Sequence, residues 1–503
     1  VIPFGAWRPD AAGINTPAVS EARNVLPSPI GFKSLAGPVA VTNALQDDCL
    51  GAAVVLGDDG STFPFAGDAT KLYRLTAATW SDVSKPGEII TAEDASNITD
   101  EAAATITSEG FYATPAGERW RFELFGQYVI ATNYLDVVQY YELGTSEAFD
   151  DLPGSPPSAR YVAIVRDFVV LGAINGYETR VHWSGLNDAE VWTPGTASSD
   201  YQDQPTGGPI TGLLGGATGY IFQKSRVTRM TFVPGSEAVF QFDEVQGGKG
   251  LVAPNSLVKL GDQAFYLASD GFYRMDLNSG GQQQIGVNKW RTYFMGDYRA
   301  GTEGEILGAA DPINPIILWA YISRDNSGTT PDRLLIYDRV LDEATFANIS
   351  VEALASWTTS DVTLDTMNDY GTIDTLPYSL DSPFWKAGAS VIGIFGTDNR
   401  LAFLQGANLE ARITTSDGQS PGRAYIRATR PAVDSTAATV AIAARERDGD
   451  AVTFGASEAM EDTGEIPAHS SGFLARARIT IPAGATWTTL KGIETIAKRL
   501  GKR

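Results

Sequence analysis

The sequence predicts an all-β chain: a β-propeller of about six to seven blade-like units with insertions, followed by a C-terminal β-sandwich or barrel-like domain. Three observations carry that expectation. The first is composition. With 52 Gly and 26 Pro among 503 residues, and 19 Tyr, 22 Phe and 10 Trp, short strands and turns are favoured over long helices. The second is a recurring phrase: an apolar strand-like run, a polar or Gly turn, then a second run carrying aromatics. The third is a change of texture after Gln405, where apolar residues begin to alternate with Arg.

In chain order, residues 1–60 read as an N-terminal extended segment with the first strands. VIPFGAWRPD has no basic region followed by an apolar run, so no signal peptide is expected there. An early copy of the phrase is STFPFAGDATKLYRL from Ser61. Clear copies begin at Gln127 (QYVIATNYLDVVQYYE), Asp167 (DFVVLGAINGYETRVHWS), Gly219 (GYIFQKSRVTRMTFV) and Ala264 (AFYLASDGFYRMD). Looser copies begin at Ile316 and Val391. With Tyr128, Phe168, Tyr220, Phe265, Ile316 and Val391 as markers, the steps are 40, 52, 45, 51 and 75 residues. Steps of about 40–50 with two or more strands per unit are the spacing of propeller blades, which must stack because one small sheet cannot bury both faces alone. The propeller is therefore placed at 61–405. Insertions are expected near 76–118, where AEDASNITDEAAATITSEG is acidic and Ala/Thr-rich, and near 345–385, where the step is longest.

Residues 406–488 form the expected C-terminal domain, because RAYIRATRPAV, TVAIAARERDG and FLARARITIPAGATWT carry the period of half-buried antiparallel strands. Residues 489–503 read as a basic tail. Its TLKGIETIAKRLG is the best helix candidate of the chain, with Leu490, Ile493, Ile496 and Leu500 on one face.

The net charge of −22 disfavours an ordinary nucleic-acid binder, which needs clustered Lys and Arg to neutralise phosphates. The charge is uneven. From Pro421 onward 12 Lys and Arg face 9 Asp and Glu, leaving 26 against 51 in the first 420 residues, or +3 against −25. One cysteine, Cys49, excludes an internal disulfide framework and a Cys-rich zinc site. The longest apolar run, YVAIVRDFVVLGAI, is split by Arg166 and Asp167 and is too short to span a bilayer, so no membrane insertion is expected.

Candidate chemistry is sparse. No G-x-S-x-G elbow is present, and QGGKGL from Gln246 lacks the hydroxyl that follows the lysine of a phosphate-binding loop. The two histidines, His182 and His469, are far apart in sequence. SRDNSGTTPD from Ser323 holds Asp325, Asn326 and Asp332 outside the order of a calcium loop and reads as a turn. The densest cluster is RVHWSGLNDAEVWTP, Arg180 to Pro194. At strand period Arg180 and His182 face away from Val181 and Trp183. NDAE resembles a capping box, Asn187 with Glu190, and Trp192 is placed to fold back onto Trp183. The cluster reads as scaffold. Accordingly no catalytic, cofactor-binding or metal-ligating residue is assigned, and no cofactor is expected.

The phrases WRFELFGQYVIATNYLDVVQYYE, RDFVVLGAINGYETRVHWSGLNDAEVW and GGKGLVAPNSLVKLGDQAFYLASDGFYRMD resemble the β-propeller tail hub or nozzle proteins of short-tailed bacteriophages, the tail tubular protein B type. FGAWRPD and RAYIRATRPAVDSTAATVAIAARERDGDAVTFG are similar to the opening and closing segments of that family. The resemblance implies a structural, non-enzymatic virion protein, made in the host cytoplasm and built into the tail. It implies a ring of six copies, with adaptor proteins above and fibres or tip proteins below. Genomic double-stranded DNA would pass through the lumen without specific binding. The alternative from the fold class is a propeller glycan hydrolase, which needs only two suitably placed carboxylates, or a glycan-binding propeller.

Overall fold

The computed structural model describes residues 2–11, 13–58, 60–87, 112–236, 238–245, 247–311, 313–358 and 390–500. Among the described residues six separate four-stranded antiparallel sheets recur. Their first strands are Gly51–Leu56, Arg121–Phe125, Ala159–Val165, Ile210–Leu214, Val258–Leu260 and Ala353–Thr358. A seventh four-stranded meander, from Leu307–Ala310 to Glu343–Ala347, lies before the last of them in chain order. First strands pack on one another around a common axis, with the Pro254–Ser256 turn bridging the fourth and fifth blades. Ala353–Thr358 packs back on Gly51–Leu56, which closes the ring.

The phrase seen in the sequence corresponds to a definite place in each blade. Tyr128, Phe168, Tyr220, Phe265, Ile316 and Val391 all lie on second strands. The reason is burial on both faces. A second strand is covered by the neighbouring blades on either side, so it reads as a continuous apolar run instead of alternating. All seven residues of Phe168–Ile174 are buried, as are all five of Gly219–Gln223. Aromatic rings join one blade to the next: Phe65 meets Tyr141 at 5.2 Å, Phe222 meets Tyr266 at 5.2 Å, and Phe272 meets Trp319 at 4.2 Å.

Several sequence-based boundaries need correction. The propeller does not begin at residue 61. Gly51–Leu56 is the inner strand of the first blade, and Ala36–Ala40 is the outermost strand of the last, paired with Leu401–Asn408. This strand carries Gly37 and Pro38, which weaken strand periodicity but are tolerated at a sheet edge. It ties the start of the chain to the end of the ring, so opening the ring requires breaking a sheet. The expected insertions also contain blade strands: Thr79–Asp82 in the first, and Glu343–Ala347 with Ala353–Thr358 in the second. The remainder of each lies mostly in 88–111 and 359–389, outside the described residues.

The second β domain is likewise not the work of 406–488 alone. Val19–Arg23 pairs with Ala411–Thr415, and Ile2–Pro3 and Gly31–Ser34 both pair with the tail strand Thr489–Arg499. The Leu307–Ala347 meander continues through Val19–Arg23 into this sheet. Trp7, Trp290 and Trp487 lie in one buried core shared by both ends of the chain and the fifth and sixth blades.

The helix expected in the tail is a strand. Thr489–Arg499 runs antiparallel to Gly418–Val433, with Thr495 opposite Thr429 and Arg499 opposite Ala424. Its Thr and Ile residues are β-branched and Gly492 weakens a helix, so the pairing partner overrides an accidental helical spacing. Leu490 and Ile493 are buried, whereas Ile496 and Leu500, the rest of the expected helical face, are not.

Candidate functional site

The Arg180–Pro194 segment holds one of the two histidines, two tryptophans and two carboxylates within fifteen residues. Tyr177–Trp183 is the third strand of the third blade. Val181 and Trp183 are buried while Arg180 and His182 are half-buried on the opposite face, as strand period requires. Arg180 grips Asp203 on the outer strand through two bonds, Nε to Oδ1 at 2.7 Å and Nη2 to Oδ2 at 3.0 Å. Its guanidinium also lies between the Tyr177 and Tyr201 rings, at 4.1 and 4.0 Å. Burial, aided by the charge of Arg180, lowers the proton affinity of His182, and its Nε2 lies 3.0 Å from the Trp192 carbonyl oxygen.

Two details differ from the sequence reading. Trp192 packs edge-on against His182, with centroids 5.6 Å apart, and not on Trp183, whose ring meets Phe240 and Phe242 of the next blade. No helix follows Asn187, which sits at φ 54°, and Asp188 accepts the Glu190 N–H. A left-handed residue ahead of a tight turn leaves no helix to cap. The other sequence candidates are also structural. Asp332 takes hydrogen bonds from the Ser323 N–H and hydroxyl and from Asn326, closing the Ser323–Asp332 turn. The Lys249 N–H bonds Gln282 in an ordinary loop. His469 Nδ1 meets the Tyr425 hydroxyl at 2.8 Å on the outer part of the second domain. Among the described residues no group of three metal-capable side chains converges.

A polar cavity of about 380 Å³ opens where the inner strands of the second to sixth blades begin. Arg160 is its anchor: Nε bonds both Glu118 oxygens at 2.9 Å, and Nη1 bonds Glu178 at 2.6 Å. Burial opposes the charge of Arg160, and the two glutamates more than offset it, holding the guanidinium above its ordinary value. Arg119 reaches outward to Glu305 at 3.0 Å and to the Glu352 carbonyl. Arg121 has neither arrangement. It donates to the Asn255 side chain, lies 5.7 Å from the Tyr161 ring, and forms no ion pair among the described residues.

Deeper along the axis, Glu123 faces the same side of its strand as Arg121, because residues two apart share a face. A second cavity of about 240 Å³ is lined there by Glu123 and Arg121 together with Ala53, Val162, Leu213 and Leu214. Burial pushes the Glu123 carboxyl up to about 7, against a weaker opposing pull from Lys259. Glu352, near the seam between the last and first blades, is also raised to about 7, first by burial and then by Asp48, Asp398 and Asp47.

These axial residues come from separate blades, so no local motif announces them. The one visible hint is GERWRFELF, where charges alternate with aromatic or apolar residues on a single inner strand and the turn before it.

The third notable surface is a ribbon at the end of the second domain. Gly418–Val433 lies between Ile466–Ile481 and Thr489–Arg499. Ile466–Ser471 and Glu494–Arg499 each have this one strand neighbour among the described residues, so both ribbon edges are open. The ribbon carries Arg423, Arg427, Arg430, Lys498 and Arg499. Glu465 bonds Arg427 at 3.0 Å and Arg430 at 3.2 Å, and Glu494 is 3.9 Å from Arg430.

Propeller ring plus interleaved terminal β domain is the class this architecture defines. No protein-family model matches the sequence, and no curated protein does. Solved structures of similar shape include a chain of the mitotic checkpoint complex, at 9% identity and a TM-score of 0.37, over 76% of this chain and 98% of that one. The extracellular domain of BT4673 from B. thetaiotaomicron matches at 10% identity and a TM-score of 0.41, over 78% of this chain and 43% of that one. The computationally designed Ika8 protein matches at 10% identity and a TM-score of 0.36, over 73% of this chain and all of that one. At such scores none of them bears on what this chain does.

Proposed function

We propose that this chain is a structural subunit of the hub or nozzle ring in the tail of a short-tailed phage, acting as a DNA conduit and a docking platform for adaptor and fibre or tip proteins. The observation that carries the reading is the ribbon: two open strand edges and five basic residues, on a chain whose first 420 residues carry a net −25. An open edge offers unpaired N–H and C=O groups to another chain, and its Lys and Arg discourage indiscriminate pairing. A basic ribbon and an acidic body on one molecule favour head-to-tail contact between copies, the geometry that closes into rings.

The lumen of such a ring lies between copies, not along the propeller axis. The 380 Å³ axial cavity is roughly 9 Å across if spherical, narrower than even the ~12 Å major groove of duplex DNA. An acidic wall would let DNA slide instead of stick. The hydrolase alternative calls for a pair of available carboxylates. At the axial mouth both acids, Glu118 and Glu178, are bonded to Arg160.

The test is sedimentation of the full chain across concentration and salt, with Arg427→Glu/Arg430→Glu as the variant. The expected result is a ring that weakens with salt and is lost in the variant, together with loss of infectious particles when the variant replaces the wild-type chain in tails. A chain that is monomeric at every concentration, with a variant that still builds infectious tails, would refute the reading. Tight duplex-DNA binding at physiological salt would refute the conduit.

A further inference from the structure

The structure assigns to the axial mouth of the propeller a binding site for a small ligand bearing one carboxylate or phosphate group, held by Arg121 and Lys224. Arg121 is half-buried on the inner strand of the second blade and donates one N–H to Asn255, leaving guanidinium donors turned to the 380 Å³ cavity. Every other arginine at this mouth is neutralised: Arg119 by Glu305, and Arg160 by Glu118 and Glu178. Arg121 has no acid within ion-pair distance among the described residues, although the protein as a whole carries a net charge of −22. A guanidinium withdrawn from water without a counter-charge is costly, and an oxyanion removes that cost.

Lys224 supplies the second charge. It stands in the hairpin between the second and third strands of the fourth blade, exposed, lining the same cavity, and in no ion pair among the described residues. The planar fork of Arg121 matches the paired oxygens of a carboxylate or phosphate, while Lys224 contributes a mobile point charge at the rim. Asn255 is fixed by donating to the Gly304 carbonyl at 2.5 Å, so its side-chain oxygen holds Arg121 in place. The Tyr161 ring walls the cavity beside it. Glu118 and Glu178 share the mouth and both bond Arg160; Glu118 also attracts Arg121 from a distance, but burial outweighs that pull and holds the Arg121 guanidinium below its ordinary value. The inference is independent of ring assembly, since all of these residues belong to one copy.

The experiment is calorimetric titration of the full chain with inorganic phosphate in one arm and acetate in the other, at constant ionic strength. One site per chain is expected for at least one anion. Affinity should fall about tenfold or more in Arg121→Gln, the range of a charge-assisted hydrogen bond, and roughly threefold to tenfold in Lys224→Gln, the smaller effect of an exposed charge at the rim. Arg229→Gln, which removes an arginine lying outside the cavity, should bind like wild type. Lys224 is exposed, so its variant remains informative if Arg121→Gln fails to fold. Binding of either anion with this pattern supports the site and identifies the preferred group. No binding of either anion, or binding that survives in Lys224→Gln and falls in Arg229→Gln, overturns it.

Discussion

Replacing Glu123 by Gln should stabilise the propeller above neutral pH and change little in acid. The carboxyl stands on an inner strand, beside a cavity lined by Ala53, Val162, Leu213, Leu214 and Arg121, and burial outweighs the pull of Lys259 and raises it from the ordinary 4.5 to about 7. The shift is upward for an acid, so the folded state holds the proton more tightly than the unfolded chain. Stability is therefore fullest below about pH 4.5, declines as pH rises toward 7, and is lowest once the buried group is ionised. A gap of 2.5 units at about 1.36 kcal/mol per unit is a cost of about 3 kcal/mol above pH 7. For a roughly 360-residue propeller the unfolding entropy is about 0.75 kcal/mol/K, so that cost corresponds to about 4 °C in Tm. The assay is thermal unfolding of wild type and Glu123→Gln at steps from pH 4.5 to 8, in buffer without phosphate. The two should melt together in acid and separate by about 4 °C at pH 8, with the variant higher. Equal separation at all pH values, or a variant less stable at pH 8, would refute the assignment of a carboxylate whose burial outweighs its opposing charges. Taking the difference between the two chains cancels other titrations, including that of Glu352, which is raised to the same level.

Trp183→Ala should cost roughly 3–5 kcal/mol, since the ring is 4% exposed, packs on Phe240 and donates Nε1–H to the Ser198 carbonyl at 2.8 Å. His182→Ala should cost less than half as much in a denaturant titration, and the reverse order would refute the packing roles given to the two side chains. In the second domain, Asp417→Ala should cost about 3–5 kcal/mol, because its 5%-exposed carboxylate is gripped by Arg445 and, at 2.8 Å through both oxygens, by Arg476. Burial alone would raise Asp417, but the two arginines more than offset it and hold it below its ordinary value. That stability is present above about pH 4 and lost as pH falls, so Asp417→Asn should flatten the acid limb of the stability profile. An unchanged acid limb in urea titrations would count against the pairing.

What was legible in the sequence, and what was not, divides along one physical line. Segments buried by their immediate surroundings declared themselves: Phe168–Ile174 is apolar throughout because neighbouring blades cover both its faces, so the repeat of second strands could be followed along the chain. Features that depend on a distant partner did not. Thr489–Arg499 has Leu and Ile at helical spacing, and the Gly418–Val433 strand beside it decides otherwise. Ala36–Ala40 is a poor strand by composition and exists because Leu401–Asn408 needs an outer neighbour. The axial residues are the extreme case. Arg121, Arg160, Lys224 and Asn255 come from four successive blades and meet only because the ring closes. Each alone is an ordinary polar residue at a strand end or turn. The Arg180–Pro194 cluster shows the converse. Its His, Trp and carboxylates are crowded in sequence, yet strand alternation and the turn after it spend them separately: Trp183 on the next blade, Arg180 on Asp203, and Trp192 on His182. In a propeller, local density of reactive residue types therefore marks a blade's own packing. Charge left without a partner at the axis is the better guide to where the fold has kept a place for something else.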